Sequence, residues 1–236
     1  EQPRAENIRR AGLDFAMGKE LVPAGRVMTE GAISLVAAGN VGHVTVSKAP
    51  VIGVLANGDE LVAPGTSLAP GQVVNSIQPA LLALIRRWGA VALDLGLSRD
   101  TEEDVRQRIS GACDVIVSIG GASVGDYDVV RSAFAAEGFT PVFEKIAMKP
   151  GKPTWFSARE ATLALGLPGN PAAAMVTAQL FLRPLIDALT NAPIEAETLA
   201  LVESARRAPG LDALDARDLA RLVADDGQLS VESLCP

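Results

Sequence analysis

Three lysines stand within eight residues of one another, with no acid among them, in Lys145-Ile146-Ala147-Met148-Lys149-Pro150-Gly151-Lys152-Pro153. Pro150 and Pro153 stiffen this run, which favours reading Lys145, Lys149 and Lys152 as an anion clamp over the plainer reading of a solvated lysine surface. A second segment, Gly120-Gly121-Ala122-Ser123-Val124-Gly125-Asp126-Tyr127-Asp128, follows a β-branched stretch. Its glycines permit a tight turn with consecutive N–H groups exposed, which suits an anionic ligand at a helix N-terminus. Asp126 and Asp128 would repel a bare phosphate unless Mg²⁺ lay between. The plainer reading is a strand-to-helix turn with Asp128 as its N-cap, and the residue types alone leave both open.

Acidic loops form the third candidate. Asp59-Glu60 and Asp100 each follow a predicted strand and can reach the same edge as Asp126 and Asp128. Converging carboxylates are electrostatically costly and imply a hard cation or proton handling. The fourth is Gly166-Leu167-Pro168-Gly169-Asn170-Pro171, a well-made helix start whose N–H groups, around Gly169 and Asn170, can also line an anion site. Gly121, Ser123 and Gly125 match the Gly-x-Ser-x-Gly pattern of hydrolases. That reading fails on inventory, because the one histidine, His43, lies far upstream.

The elements that must position these groups alternate. Strands are predicted at 51–56, 91–97, 114–119 and 140–146, with a hairpin-like pair around 154–156 and 162–165. Helices are predicted at 77–88, from a Thr101 cap to about 110, at 129–136 and at 171–189. This order argues for an α/β fold, a doubly wound, mostly parallel sheet over 50–190, with ligands at the carboxyl ends of the strands. Small β-rich segments are expected to flank it. One covers 1–49, with a helix from Glu30 capped by Thr29 and an alternating strand at 41–47. The other is a partial β domain over 191–236.

Composition excludes several classes. The chain has 236 residues, 48% of them hydrophobic and 21% charged, as in ordinary globular proteins. No apolar run is expected to cross a membrane. A net charge of −7 argues against nucleic-acid and membrane-surface partners. Two cysteines, Cys113 and Cys235, make neither a disulfide framework nor a zinc site, and Cys113 reads as packing. A start at Glu1 with no signal segment suggests a cytoplasmic chain, mature or cut from something longer.

Assembled, these residues resemble the molybdopterin molybdenumtransferase family, the type that includes MoeA and the gephyrin E domain. The likeness rests on Gly58-Asp59-Glu60-Leu61, the Gly120–Gly125 loop with Asp128, the Lys145–Pro153 run and Leu167-Pro168-Gly169-Asn170-Pro171, in that order. Asn7-Ile8-Arg9-Arg10 with Gly12 and Asp14 adds to it. The resemblance implies a molybdopterin-binding fold and a homodimer. It implies insertion of molybdate into adenylated molybdopterin, with Mg²⁺, releasing AMP. Glu60, Asp100 and Asp128 then take the acidic active-site positions and the Mg²⁺, while Lys145 and Lys149 take those of the active-site lysines. Gly120, Gly121, Ser123, Gly125, Lys152, Gly169 and Asn170 bind substrate and phosphate.

The chain also departs from the family. Asn57 precedes Gly58 where a small residue is usual, and Ser76-Ile77 replaces a Ser-Asn pair. No amino-terminal domain is recognised, and either Arg217 or Arg221 matches a carboxy-terminal arginine. Two other functions remain open on these residues: a molybdopterin adenylyltransferase, and a non-catalytic module that binds or scaffolds the pterin.

Overall fold

Four apolar stretches, Val51–Asn57 (β1), Val91–Ser98 (β4), Val115–Ile119 (β5) and Thr162–Leu167 (β8), pair side by side in parallel. The computed structural model describes residues 8–111, 113–120 and 128–190. Two antiparallel strands, Trp155–Arg159 (β7) and Thr140–Phe143 (β6), extend the sheet beyond β8, giving the order β4-β1-β5-β8-β7-β6. Inner strands β1, β5 and β8 are buried on both faces, which is why they read as nearly unbroken Val, Ile, Leu and Ala. Leu61–Val62 (β2) and Val73–Val74 (β3) form a separate parallel ladder.

Helices cover both faces. On one, Ile77–Arg87 (α2), Pro171–Thr177 (α5) and Arg183–Leu189 (α6) bury Leu81, Ile85, Ala174, Leu185 and Ile186 against Val54, Val117 and Leu165. The fully buried Leu81 and Ile85 each contribute about 1.5–3 kcal/mol by leaving water. On the other face, Glu102–Ile109 (α3) and Val129–Ala136 (α4) pack Val105, Ile109, Val130 and Phe134 against Leu55, Ile116 and Trp155. The doubly wound, mostly parallel α/β sheet expected from the sequence is therefore present.

Two expectations are corrected. The helix expected over 171–189 is interrupted by a π-helical turn, Ala178–Leu182, between α5 and α6. Pro184 follows it, and a residue without an N–H cannot continue the regular ladder. This 19-residue stretch also has the length and mean hydropathy of a membrane span, contrary to expectation. Its apolar residues are spent on the protein's own core: Ala174, Ala178, Leu182 and Ile186 are fully buried.

The described residues fall into two compact units divided between Ser47 and Lys48. The first holds one helix, Glu30–Ala38 (α1), whose cap Thr29 accepts from the Ala32 N–H at 3.3 Å. None of its residues is buried. The strand expected at 41–47 does not form: no described residue pairs with it, and Val41, Val44 and Val46 stay exposed. Alternation supplies a face, but a strand also needs a neighbouring edge to bond. The expected β-rich flank is thus one helix with turns and irregular chain among the described residues. The span 191–236 lies outside them, with Arg217 and Arg221.

Candidate functional site

From β1 the chain passes through α2 to β4 on one side, while from β5 it passes through α4 on the opposite face. The carboxyl ends of β1 and β5 therefore diverge, and such a switch point leaves a crevice. A cavity of about 640 Å³ opens there. Asn57, Gly58 and Glu60 line it after β1, Asp100 after β4, Gly120 after β5 and Gly169 after β8. Ser76 and Ile77, Val129 and Pro171 bring in the N-terminal ends of α2, α4 and α5. The partial positive charge at helix N-termini faces the same space as the carboxylates of Glu60 and Asp100.

The two acidic loops are clasped together. The Asp59 N–H donates to Asp100 Oδ2 at 3.4 Å, and the Asp100 N–H donates to Asp59 Oδ1 at 3.2 Å. Asn57 adds a side-chain link, its Nδ2 donating to Asp100 Oδ1. Ser98 Oγ in turn donates to Asn57 Oδ1 at 2.8 Å, and the Gly58 N–H bonds the Ser98 carbonyl at 3.2 Å. Glu60 folds back toward Gly58, where a Cβ would lie 2.6 Å from a carboxylate oxygen.

A bulge aims this end of β4. The β1–β4 register shifts between Val54 and Leu55, pairing them with Asp94 and Gly96 and leaving Leu95 over. Gln78, buried on α2, holds the irregularity: its Nε2 donates to the Val54 carbonyl, Asp94 Oδ1 and the Gly96 carbonyl at 2.8–2.9 Å. Asn75, in the cavity wall, donates to Gln78 Oε1 at 2.7 Å and accepts from the Gln78 N–H at 3.3 Å. Asn75 thus caps α2 one residue ahead of Ser76, whose own side chain makes no cap bond.

Asp128 caps α4, accepting from the Arg131 N–H at 3.1 Å, so its N-cap reading holds. Arg131 Nε lies 3.0 Å from the other carboxylate oxygen, close enough for an ion pair but not aligned as a hydrogen bond. Burial outweighs these contacts and pushes the Asp128 carboxyl above its ordinary value. Arg131 has no place in the sequence-based expectation, although its three-residue spacing from an N-cap acid is the signal that finds it.

The lysine loop follows a simple alternation. Ile146 and Met148 are buried in the core, so Lys145 and Lys149 between and beside them point outward and are exposed, as is Lys152. The Ile146 N–H bonds the Lys152 carbonyl at 3.1 Å and closes the loop. Pro153 reaches the cavity, and the three lysines lie outside its lining. Asn170 caps α5, accepting from the Ala173 N–H at 3.1 Å. Gly121, Ser123 and Gly125 lie outside the described residues. Among the described residues no three His, Cys, Asp or Glu side chains converge as a metal-ligand set. Asp128, turned to Arg131, does not fit a cation beside it. Glu60 and Asp100, both on the cavity, do fit one that completes its shell with substrate oxygens.

An open sheet wound on both faces, with its crevice at the strand switch point, defines a ligand-binding doubly wound α/β domain. Residues 53–188 match a family model described as a probable molybdopterin binding domain, and the chain belongs to that family. Curated relatives include a molybdopterin molybdenumtransferase of Nostoc, 37% identical over 77% of this chain and 43% of its own. One of Synechococcus elongatus is 35% identical, over 89% of this chain and 54% of its own. A crystal structure of a MoeA molybdopterin biosynthesis protein from Pyrococcus superposes with a TM-score of 0.68 at 30% identity, covering 76% of this chain and 45% of that one. The likeness read from the motifs is borne out. The chain spans about half the length of the curated relatives it matches.

Proposed function

We propose that this chain carries the molybdopterin site of a molybdopterin molybdenumtransferase, acting in molybdenum cofactor biosynthesis. Molybdate is inserted into adenylated molybdopterin and AMP is released. The observation that carries this reading is the cavity at the switch point, where Glu60 and Asp100 meet three helix N-termini. Mixed polarity of this kind suits a ligand that brings both anionic phosphate and a divalent cation.

In this reading Glu60 and Asp100 would hold Mg²⁺, which would neutralise phosphate and oxyanion charge when bound. Asp128 sets the start of α4. The N–H groups of Gly120, Gly169 and Asn170 face the substrate's phosphate, and Gly121, Ser123 and Gly125 are assigned to the same phosphate-binding role. Lys145, Lys149 and Lys152 supply positive charge at the rim for molybdate and phosphate. No protein nucleophile is needed. The working form is a cytoplasmic homodimer, checked by light scattering in solution.

The deciding experiment mixes the protein with adenylated molybdopterin, molybdate and Mg²⁺ and follows AMP. Release that depends on molybdate supports the transferase. AMP incorporation from ATP into molybdopterin would make it an adenylyltransferase instead. Tight pterin binding with no turnover would leave a binding module.

A further inference from the structure

We propose that Asn57 is the positioning residue of the site: its amide, locked by Ser98, holds the Asp100 carboxylate in one orientation at the cavity wall. This rests on the reading of Asp100 as a working carboxylate.

The chemistry of the three groups permits one arrangement. An ionised carboxylate only accepts, so the Asn57 edge facing Asp100 must be its NH₂ group. That leaves Oδ1 on the other side, where Ser98 Oγ donates to it at 2.8 Å. A flipped amide would set an oxygen against the carboxylate and lose the hydroxyl bond as well. Asn57 and Ser98 are almost completely buried, at 4% and 2% exposure, so water cannot replace either contact cheaply. The Asp59 N–H takes the other oxygen, Asp100 Oδ2. Asp100 itself is exposed. Its carboxylate is therefore gripped from the β1 side while its remaining lone pairs are free to meet a ligand. Outer partners of this kind fix the direction of a ligating group. The backbone clasp with Asp59 brings the loops together, but only the Asn57 amide ties the carboxylate to the buried end of β4.

Asn57→Ala, Ser98→Ala and Asp100→Asn test this in the whole protein. Asn57→Ala is expected to lower kcat for AMP release about tenfold and to weaken Mn²⁺ binding, read by electron paramagnetic resonance, to a similar degree. Equilibrium binding of adenylated molybdopterin measured without metal should change less than Mn²⁺ binding does. Ser98→Ala gives a smaller loss of the same kind, and adding it to Asn57→Ala costs nothing further. Should Asn57→Ala fold poorly in urea titration, the same split in Ser98→Ala carries the test. Wild-type kcat and Mn²⁺ affinity in a folded Asn57→Ala variant would overturn the positioning role while Asp100→Asn remains inactive. Full activity in Asp100→Asn would instead remove the carboxylate assignment, and the positioning role with it.

Discussion

Gly120 lies so close to Asn57 that a Cβ built on it would sit 2.7 Å from the Asn57 carbonyl oxygen. The contact joins the ends of β5 and β1 at the crevice. On the other side a Gly169 Cβ would lie 3.6 Å from Gly120 Cα, so the loops after β1, β5 and β8 are stacked with almost no side chain between them. Close backbone approach of this kind is what lets a wall of peptide groups face a ligand.

Gly120→Ala is expected to destabilise the fold by at least about 2 kcal/mol, from left-handed strain plus the clash. Gly120 has φ +83°, and its neighbour in the clash is backbone, which cannot swing aside. Gly89→Ala is the control, with φ +85° and nothing within 4 Å of the added carbon. It should show the strain alone, about 1–2 kcal/mol. Urea unfolding of both variants compares them, and equal losses would mean the Asn57 contact is not tight.

Gln78 should matter beyond its size. Gln78→Ala removes the donor shared by the Val54 carbonyl, Asp94 and the Gly96 carbonyl; exposed Asp94 keeps its bond from the Gly96 N–H, so the cost falls on the two carbonyls. A loss of about 2–3 kcal/mol is expected. Gln78→Glu should be worse at neutral pH, since it sets a carboxylate against three acceptors, and should recover as the pH falls and the new group is protonated. An Ala variant more damaging than Glu at pH 7 would contradict this account of the bulge.

Local chemistry is what the sequence states most directly. Thr29, Thr101, Asp128 and Asn170 were each legible as caps because the bond reaches only three residues along the chain. Thr101 shows the limit: it caps α3, while Asp104, three residues on, accepts from the Arg99 N–H at 2.7 Å, a bond that the cap spacing does not announce. Apolar runs gave the inner strands for the same local reason. The β4 bulge, the β2–β3 ladder and the Asn57–Asp100 link join residues 12 to 43 positions apart, and nothing in either partner alone announces the other. Asn57 was visible only as a departure from a family pattern, and its use emerged once Ser98 and Asp100 stood beside it.

Asp128 separates capping from charge. Its folded pKa is raised above the ordinary 3.8, so the native state favours the neutral acid. The stability this confers is present below the unfolded value and is lost as pH rises through the folded one. Asp128→Asn keeps an acceptor for the Arg131 N–H and cannot ionise, so its stability relative to the parent should improve as pH rises above the ordinary carboxylate value of 3.8. Asp128→Ala should lose about 1 kcal/mol at every pH from the missing cap. Asp128→Asn keeps the cap that sets the start of α4 and should retain AMP release, whereas Asp128→Ala should lower it. Thermal melts across pH read the first effect, and an Asn variant that gains nothing with rising pH would refute the buried-charge cost.

Lys149 tests the rim. Its side chain is exposed between buried Met148 and the proline frame, so removing it should leave folding untouched. Lys149→Ala is expected to weaken binding of adenylated molybdopterin about fivefold, matching the ~1 kcal/mol of one charge contact in a water-like dielectric. The gap between variant and parent should close as salt is raised, because exposed charges are screened over about 10 Å at 0.1 M ionic strength. Isothermal titration at two salt concentrations measures it. A deficit that persists at high salt would point to a direct, desolvated contact, and no deficit at either would return Lys149 to ordinary surface.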